Sequence, residues 1–109
     1  MRWQDRGNAE VRVPELSPVA QSGRLAFDRH CAACHGVHAT GNTKGPPLVH
    51  RVYHPRLHAD IAFDLAVRRG VRAHHWSFGD MPPQPAVTAT ELTDITRYVR
   101  ELQRANGIE

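Results

Sequence analysis

A short run with two cysteines and a histidine, Cys31-Ala32-Ala33-Cys34-His35, constrains this chain more than any other feature. Side chains three positions apart on a helical turn lie on the same side of the helix. The two thiols can therefore reach the two vinyl groups on one edge of a haem and form thioethers, while the imidazole of His35 binds the iron. This spacing is the attachment pattern of c-type haem.

Three other kinds of site remain open for these residues. A structural zinc site needs four Cys or His ligands, and the chain has two cysteines and no clean distant pair of histidines. A thioredoxin-like redox pair would follow a strand in a βαβ unit, and no such pattern surrounds Cys31. A disulfide between Cys31 and Cys34 would close a very small loop and would leave His35 unexplained. Haem attachment accounts for the whole motif.

The hydrophobic pattern predicts three main helices with long Gly/Pro-containing loops between them. Ser17-Pro18 is typical of a helix start, and we expect the first helix to run from Val19 to Cys34. Gly23 lies inside this helix, where a close crossing with another helix would explain it. Apolar residues at helical spacing predict a second helix over Asp60 to Arg69. The last helix begins at the capping box Thr88–Glu91, and its apolar stripe comprises Leu92, Ile95, Val99 and Leu102.

Size and composition fit one small domain whose core needs a bound group. The chain has 109 residues, of which 40% are hydrophobic and 6% aromatic, so the protein core alone would be thin. No apolar run approaches the roughly 20 residues that span a bilayer. The chain has 14 Lys and Arg against 11 Asp and Glu, a net charge of +3. The basic residues are dispersed along the sequence, which argues against a nucleic-acid partner. We expect an irregular N-terminal arm over residues 1–16 and one domain over residues 17–109.

Four motifs follow one another between residues 17 and 103: Gly23 with Phe27, the Cys31–His35 run, Gly45-Pro46-Pro47-Leu48, and Gly79-Asp80-Met81-Pro82. Together they resemble the motifs of monohaem class I c-type cytochromes. The resemblance implies an all-α fold in which three main helices and long Gly/Pro loops wrap around one haem. It also implies that the first helix crosses the last near an aromatic residue, here Tyr98.

The same resemblance implies a set of residues around the haem. Cys31 and Cys34 would hold it covalently, and His35 would be the proximal axial ligand, with its ring N–H donated to the carbonyl of Pro46. Met81 would be the second axial ligand, since a thioether suits ferrous iron and a His/Met pair raises the potential. The remaining expected contacts are Leu48 in the loop after the motif and three candidates for the haem propionates, Arg51, Tyr53 and Trp76, which could instead only pack.

The other histidines offer competing interpretations. His74 and His75 are the rivals of Met81 for the second axial position, and either would lower the potential. Otherwise they are loop residues near the haem edge. His50, His54 and His58 fall at i, i+4 and i+8 and would align as a metal-binding face on a continuous helix. Pro55, which lies among them, argues against such a helix.

Two protein ligands on the iron would leave no vacancy for a substrate. This ligation suits one-electron transfer, so we expect a non-enzymatic, monomeric carrier that docks transiently with redox partner proteins near the thioether edge. Because this attachment motif matures outside the bacterial cytoplasmic membrane, we expect a periplasmic protein whose signal peptide or membrane anchor is missing from the sequence. The alternatives are a haem domain excised from a larger oxidoreductase, a ligand-sensing haem domain with a displaceable Met81, or a histidine-rich metal binder.

Overall fold

The structure, a computed structural model, describes residues 11–41, 45, 47–50, 53–72 and 80–108. Over these ranges its regular elements are four helices and a short 3₁₀ turn, and the predicted all-α fold is confirmed. One isolated antiparallel bridge pairs Val71 with Met81. Residues 11–16 of the predicted arm have no regular secondary structure. The helices are α1 (Pro18–His30), α2 (Ala32–His35), α3 (Asp60–Arg69) and α4 (Ala89–Ala105), and the 3₁₀ turn is Val37–Ala39.

The first helix begins as predicted but ends earlier. Its N-cap is Ser17, whose hydroxyl oxygen accepts the N–H of Ala20 at 3.1 Å. The predicted continuous helix to Cys34 is wrong at Cys31, where the backbone leaves helical geometry (φ −120°, ψ −29°). Cys31 still donates its N–H to the carbonyl of Phe27 at 2.7 Å, so it closes α1 before α2 starts. The cysteine motif therefore lies on a separate turn.

The core lies where α1 crosses α4. Gly23 is buried at the crossing, and a Cβ atom built there would lie 2.5 Å from the carbonyl carbon of Asp94 and 2.9 Å from Cβ of Tyr98. The rings of Phe27 and Tyr98 meet edge to face at 5.5 Å, and both side chains are fully buried. The close crossing expected from Gly23 is confirmed. The predicted apolar stripe of α4, comprising Leu92, Ile95, Val99 and Leu102, is buried.

Hydrogen bonds fasten the segment before α1 to the C-terminal part of α4. Ser17 donates its N–H and its hydroxyl to the carboxylate of Glu101 at 3.0 and 2.6 Å. Arg12 and Asn106 exchange a pair of bonds, each 2.8 Å long, between backbone and side-chain amide. Positions more than 80 residues apart are thereby joined.

The third helix has the predicted bounds but far fewer contacts with α4 than α1 has. Val67 is its buried residue, whereas Ile61 is 66% exposed. Gly70 ends it with φ +78°, a conformation that glycine adopts without strain. Among the described helices, none combines the length and the apolar character needed to cross a membrane.

Candidate functional site

Both cysteines and the histidine of the motif lie on the turn formed by α2 and its N-cap residue, Cys31. The N–H groups of Cys34 and His35 both donate to the carbonyl of Cys31, at 3.1 and 2.9 Å. Cys31 is half-buried and Cys34 is exposed, whereas His35 is buried at 8% exposure. A haem bound through two thioethers needs both sulfurs on one side of the attachment turn and an axial imidazole that is shielded from water. The residues of this turn fit that requirement.

The surroundings of Cys31 do not favour a reactive thiolate. No disulfide joins it to Cys34. Burial raises the pKa of Cys31 to about 11, with Cys34 and then Glu91 adding to the effect. Redox-active cysteines of the thioredoxin type have a lowered pKa that provides the reactive thiolate, so the environment of Cys31 disfavours that alternative.

The chain that follows α2 folds back onto it. Gly41 donates its N–H to the carbonyl of His35 at 2.6 Å, and Leu48 donates its N–H to the carbonyl of Ala39 at 2.8 Å. Gly45 is buried against the turn, where an added Cβ would lie 3.0 Å from the carbonyl carbon of Cys34 and closer still to its oxygen. Close backbone contact here needs glycine. The loop after the motif is thus held beside the cysteines.

Of the two residues predicted to contact the haem from this loop, Leu48 and Pro46, the structure describes only Leu48. Leu48 is partly buried and packs against the core. Pro46 lies outside the described residues, so the bond from the ring of His35 to its carbonyl stays a prediction.

Met81 is anchored through its backbone to the C-terminal end of α3. Val71 and Met81 exchange N–H···O bonds of 2.9 and 2.7 Å. The N–H of Gln84 donates to the carbonyl of Val67 at 2.7 Å, and Gly70 packs so closely that an added Cβ would be 2.5 Å from the carbonyl oxygen of Met81. Met81 itself is half-buried. The backbone at Met81 therefore moves only if the end of α3 moves with it.

The other predicted contacts are described only in part. Tyr53 is half-buried, with its ring 5.1 Å from that of His58. The remaining candidates, Arg51, His74, His75 and Trp76, lie outside the described residues. Within the described ranges, no three His, Cys, Asp or Glu side chains group closely enough to hold a metal ion, and this includes His50, His54 and His58.

Two polar residues of α4 form a cluster that our sequence analysis missed. Gln103 is fully buried and donates to the carbonyls of Leu48 and Tyr53, each at 3.0 Å. Arg100 donates to the same Tyr53 carbonyl and to the side-chain oxygen of Gln103, each at 2.8 Å. One signal was available, because Gln103 lies four residues after Val99 and so falls on the buried face of the helix.

Two comparisons with known proteins found a match. The family model for cytochrome c matches residues 20–103. The crystal structure of cytochrome CL from the marine methylotrophic bacterium Methylophaga aminisulfidivorans MPT is similar, with a TM-score of 0.58 and 29% sequence identity. The similarity covers 75% of this chain and 51% of that one, so it spans about half the length of the neighbour. A search of curated proteins gave no match.

Proposed function

Because the chain belongs to the cytochrome c family, we propose that it is a one-electron carrier in which His35 and Met81 are the axial ligands of its haem c. Haem-based electron transfer and covalently bound haem c are properties of this family, and the chain has the attachment motif. When bound, the haem iron supplies the redox chemistry by cycling between its ferric and ferrous states. The residues of the chain hold and cover it.

The observation that carries the proposal is the division of the attachment turn between surface and interior. Cys34 is exposed and Cys31 is half-buried, while His35 is buried. Gly45 lets the next loop lie against Cys34. Such a turn would hold the haem edge at the surface and keep the axial imidazole away from water.

Anchoring of the Met81 backbone supports its role as the second ligand. The bridge to Val71 and the packing of Gly70 hold the loop in one place. A ligand that stays in place in both oxidation states keeps the reorganisation on electron transfer small. A soft thioether favours ferrous iron and raises the potential relative to two histidines. With both axial positions taken by protein, iron would have no site for a substrate, so we place the chain among carriers rather than enzymes.

Partners and location follow as proposals. The exposed side of Cys34 would be the exit for electrons, and redox partner proteins would dock there through a small transient interface. A net charge of +3 would favour acidic partners and speed their encounter. We place the protein in the periplasm, where it would act as a monomer.

Spectroscopy of the haem-loaded protein tests the ligation directly. The wild-type protein is expected to be low-spin, with a sulfur-to-iron charge-transfer band in the oxidised form. Met81→Ala removes the thioether, so the band should disappear and the ferrous protein should bind carbon monoxide. Gln84→Ala, a change in the same loop that keeps Met81, should retain the band.

Two results would contradict this ligation. A band that survives in Met81→Ala would show that another residue is the ligand. Rapid binding of carbon monoxide by the wild-type protein would instead favour a ligand-sensing haem domain.

A further inference from the structure

The side chain of Arg100 joins three parts of the fold. From α4 it donates to the carbonyls of Tyr53 and His58, in the segment before α3. It also donates through Nε to the carboxylate of Asp60, the first residue of α3, at 2.8 Å. Its guanidinium carbon lies 4.6 Å from the centre of the Phe63 ring, one turn further along α3. One side chain thus holds the Tyr53–His58 segment and the start of α3 on α4.

The burial of Arg100 shows that this is more than a surface ion pair. Its side chain is 12% exposed, whereas that of Asp60 is 71% exposed. An exposed partner contributes little through charge alone, because water screens it. Its other hydrogen bonds go to uncharged oxygens, namely the main-chain carbonyls of Tyr53 and His58 and the side-chain oxygen of Gln103. These bonds satisfy the donors of the permanently charged guanidinium.

The opposite end of α3 carries the Met81 loop. Val67, Gly70 and Val71 hold that loop by the hydrogen bonds and close packing described above. Since α3 makes few other contacts with α4, we expect a displacement at Asp60 to move the ten-residue helix and, with it, the backbone of Met81. The place from which the thioether extends would then depend on what fixes the start of α3.

We propose that Arg100 is a positioning residue for electron transfer, which fixes the Tyr53–His58 segment and α3 on α4 and thereby sets the place of the Met81 loop. The proposal deepens the proposed function and rests on it, because Met81 enters as the axial ligand. Arg100 also places a permanent positive charge inside the domain, and such a charge favours the ferrous over the ferric state. Removing Arg100 would take away this charge and would also loosen the Met81 loop, and each of these changes lowers the reduction potential.

The test compares Arg100→Met with Arg97→Met in the haem-loaded protein. The first variant keeps an apolar stem beside Phe63 and removes the charge and every donor. Its matched control lies on the same helix, where Arg97 is 58% exposed and pairs with Glu101 at 2.8 Å. Three quantities are measured for both variants: the reduction potential, the rate of amide hydrogen exchange, and the pH at which the charge-transfer band disappears.

Arg100→Met is expected to lower the potential and to shift loss of the band to lower pH. Amides of Tyr53–His58 should exchange at least about tenfold faster, a ratio that corresponds to ~1.4 kcal/mol, while those of α1 keep their rates. Arg97→Met should change none of these quantities. Arg100→Lys, which keeps the charge but not the planar fork, should recover part of the potential and leave the exchange fast.

Faster exchange with an unchanged potential and an unchanged band would overturn the proposal, because Arg100 would then only stabilise the fold. Unchanged exchange would overturn it as well. If Arg100→Met does not mature, Asp60→Asn removes one partner at an exposed position. It should lower the pH at which the band is lost and speed the exchange of Tyr53–His58 by less than Arg100→Met, whereas its potential should not fall, because the charge removed is negative. A wild-type protein without the band would refute the ligation by Met81 and, with it, the role of Arg100. A wild-type protein with the band, together with an Arg100→Met protein of unchanged potential, would refute the role of Arg100 alone.

Discussion

Replacing Gly23 with alanine tests the packing on which the whole fold depends. An added Cβ would lie 2.5 Å from the carbonyl carbon of Asp94 and 2.9 Å from Cβ of Tyr98. Both obstacles are rigid, since one is backbone and the other is the first atom of a fully buried side chain. Helices α1 and α4 would have to separate by about 1 Å before carbon atoms reach their preferred distance.

The expected magnitude is the difference between two opposing effects. In an unobstructed helix interior, alanine is more favourable than glycine by about 1 kcal/mol. Overpacking a well-packed core costs typically ~1–3 kcal/mol, and a backbone obstacle places Gly23 at the upper end of that range. The net loss in free energy of unfolding is therefore about 2 kcal/mol, which lowers the Tm by roughly 9 °C in a domain of this size.

Thermal and urea unfolding of the haem-loaded protein measure this loss. Ser22→Ala is the matched control, because Ser22 is the preceding residue of α1 and is exposed. That variant should be neutral or slightly stabilising. A Gly23→Ala protein as stable as the wild type would show that α1 and α4 do not approach as closely as described, and the reasoning would be refuted.

Two further predictions concern the attachment turn and its surroundings. Gly45→Ala places a methyl group against the carbonyl of Cys34, so the fraction of chains with covalently attached haem should fall, as measured by mass spectrometry; an unchanged fraction would contradict this contact. The pKa of Glu91 lies below its usual value because its carboxylate accepts the N–H of Thr88 and lies beside His30. The stability that ionised Glu91 contributes is present above the pKa of the unfolded chain and is lost as the pH falls through the lowered pKa of the folded protein. On acidification, the urea midpoint of Glu91→Gln should therefore fall less than that of the wild type. Equal slopes would argue against the prediction.

Helix starts were predictable because their causes are local. Ser17 caps α1, and the capping box of Thr88 and Glu91 starts α4 with both of its reciprocal bonds. Each signal lies within three residues of the N–H group that it satisfies. The break at Cys31 has no such signal, because neither glycine nor proline occurs there. It depends on how the next turn packs, which periodicity does not report.

The candidate site, too, was predictable only where its sequence signals are local. The cysteine motif and the order of its companion loops led to the cytochrome c family, which the comparisons confirm. Arg100, in contrast, was not among the residues that the sequence pointed to. Its partners Asp60 and Tyr53 lie 40 and 47 residues away, and no spacing rule connects positions so distant. Long-range hydrogen bonds to carbonyls are recognised only once the fold is known.

The crossing of α1 and α4 has a consequence for the order in which the chain is made. A ribosome releases the turn with Cys31 and Cys34 more than 50 residues before α4 begins at Ala89. Until then the apolar side of α1 that ends at Phe27 has no surface to cover it. A chain that crosses the membrane unfolded would pass through the same state again, with α1 undocked and both thiols accessible for haem attachment, until α4 packs against α1 and closes the domain.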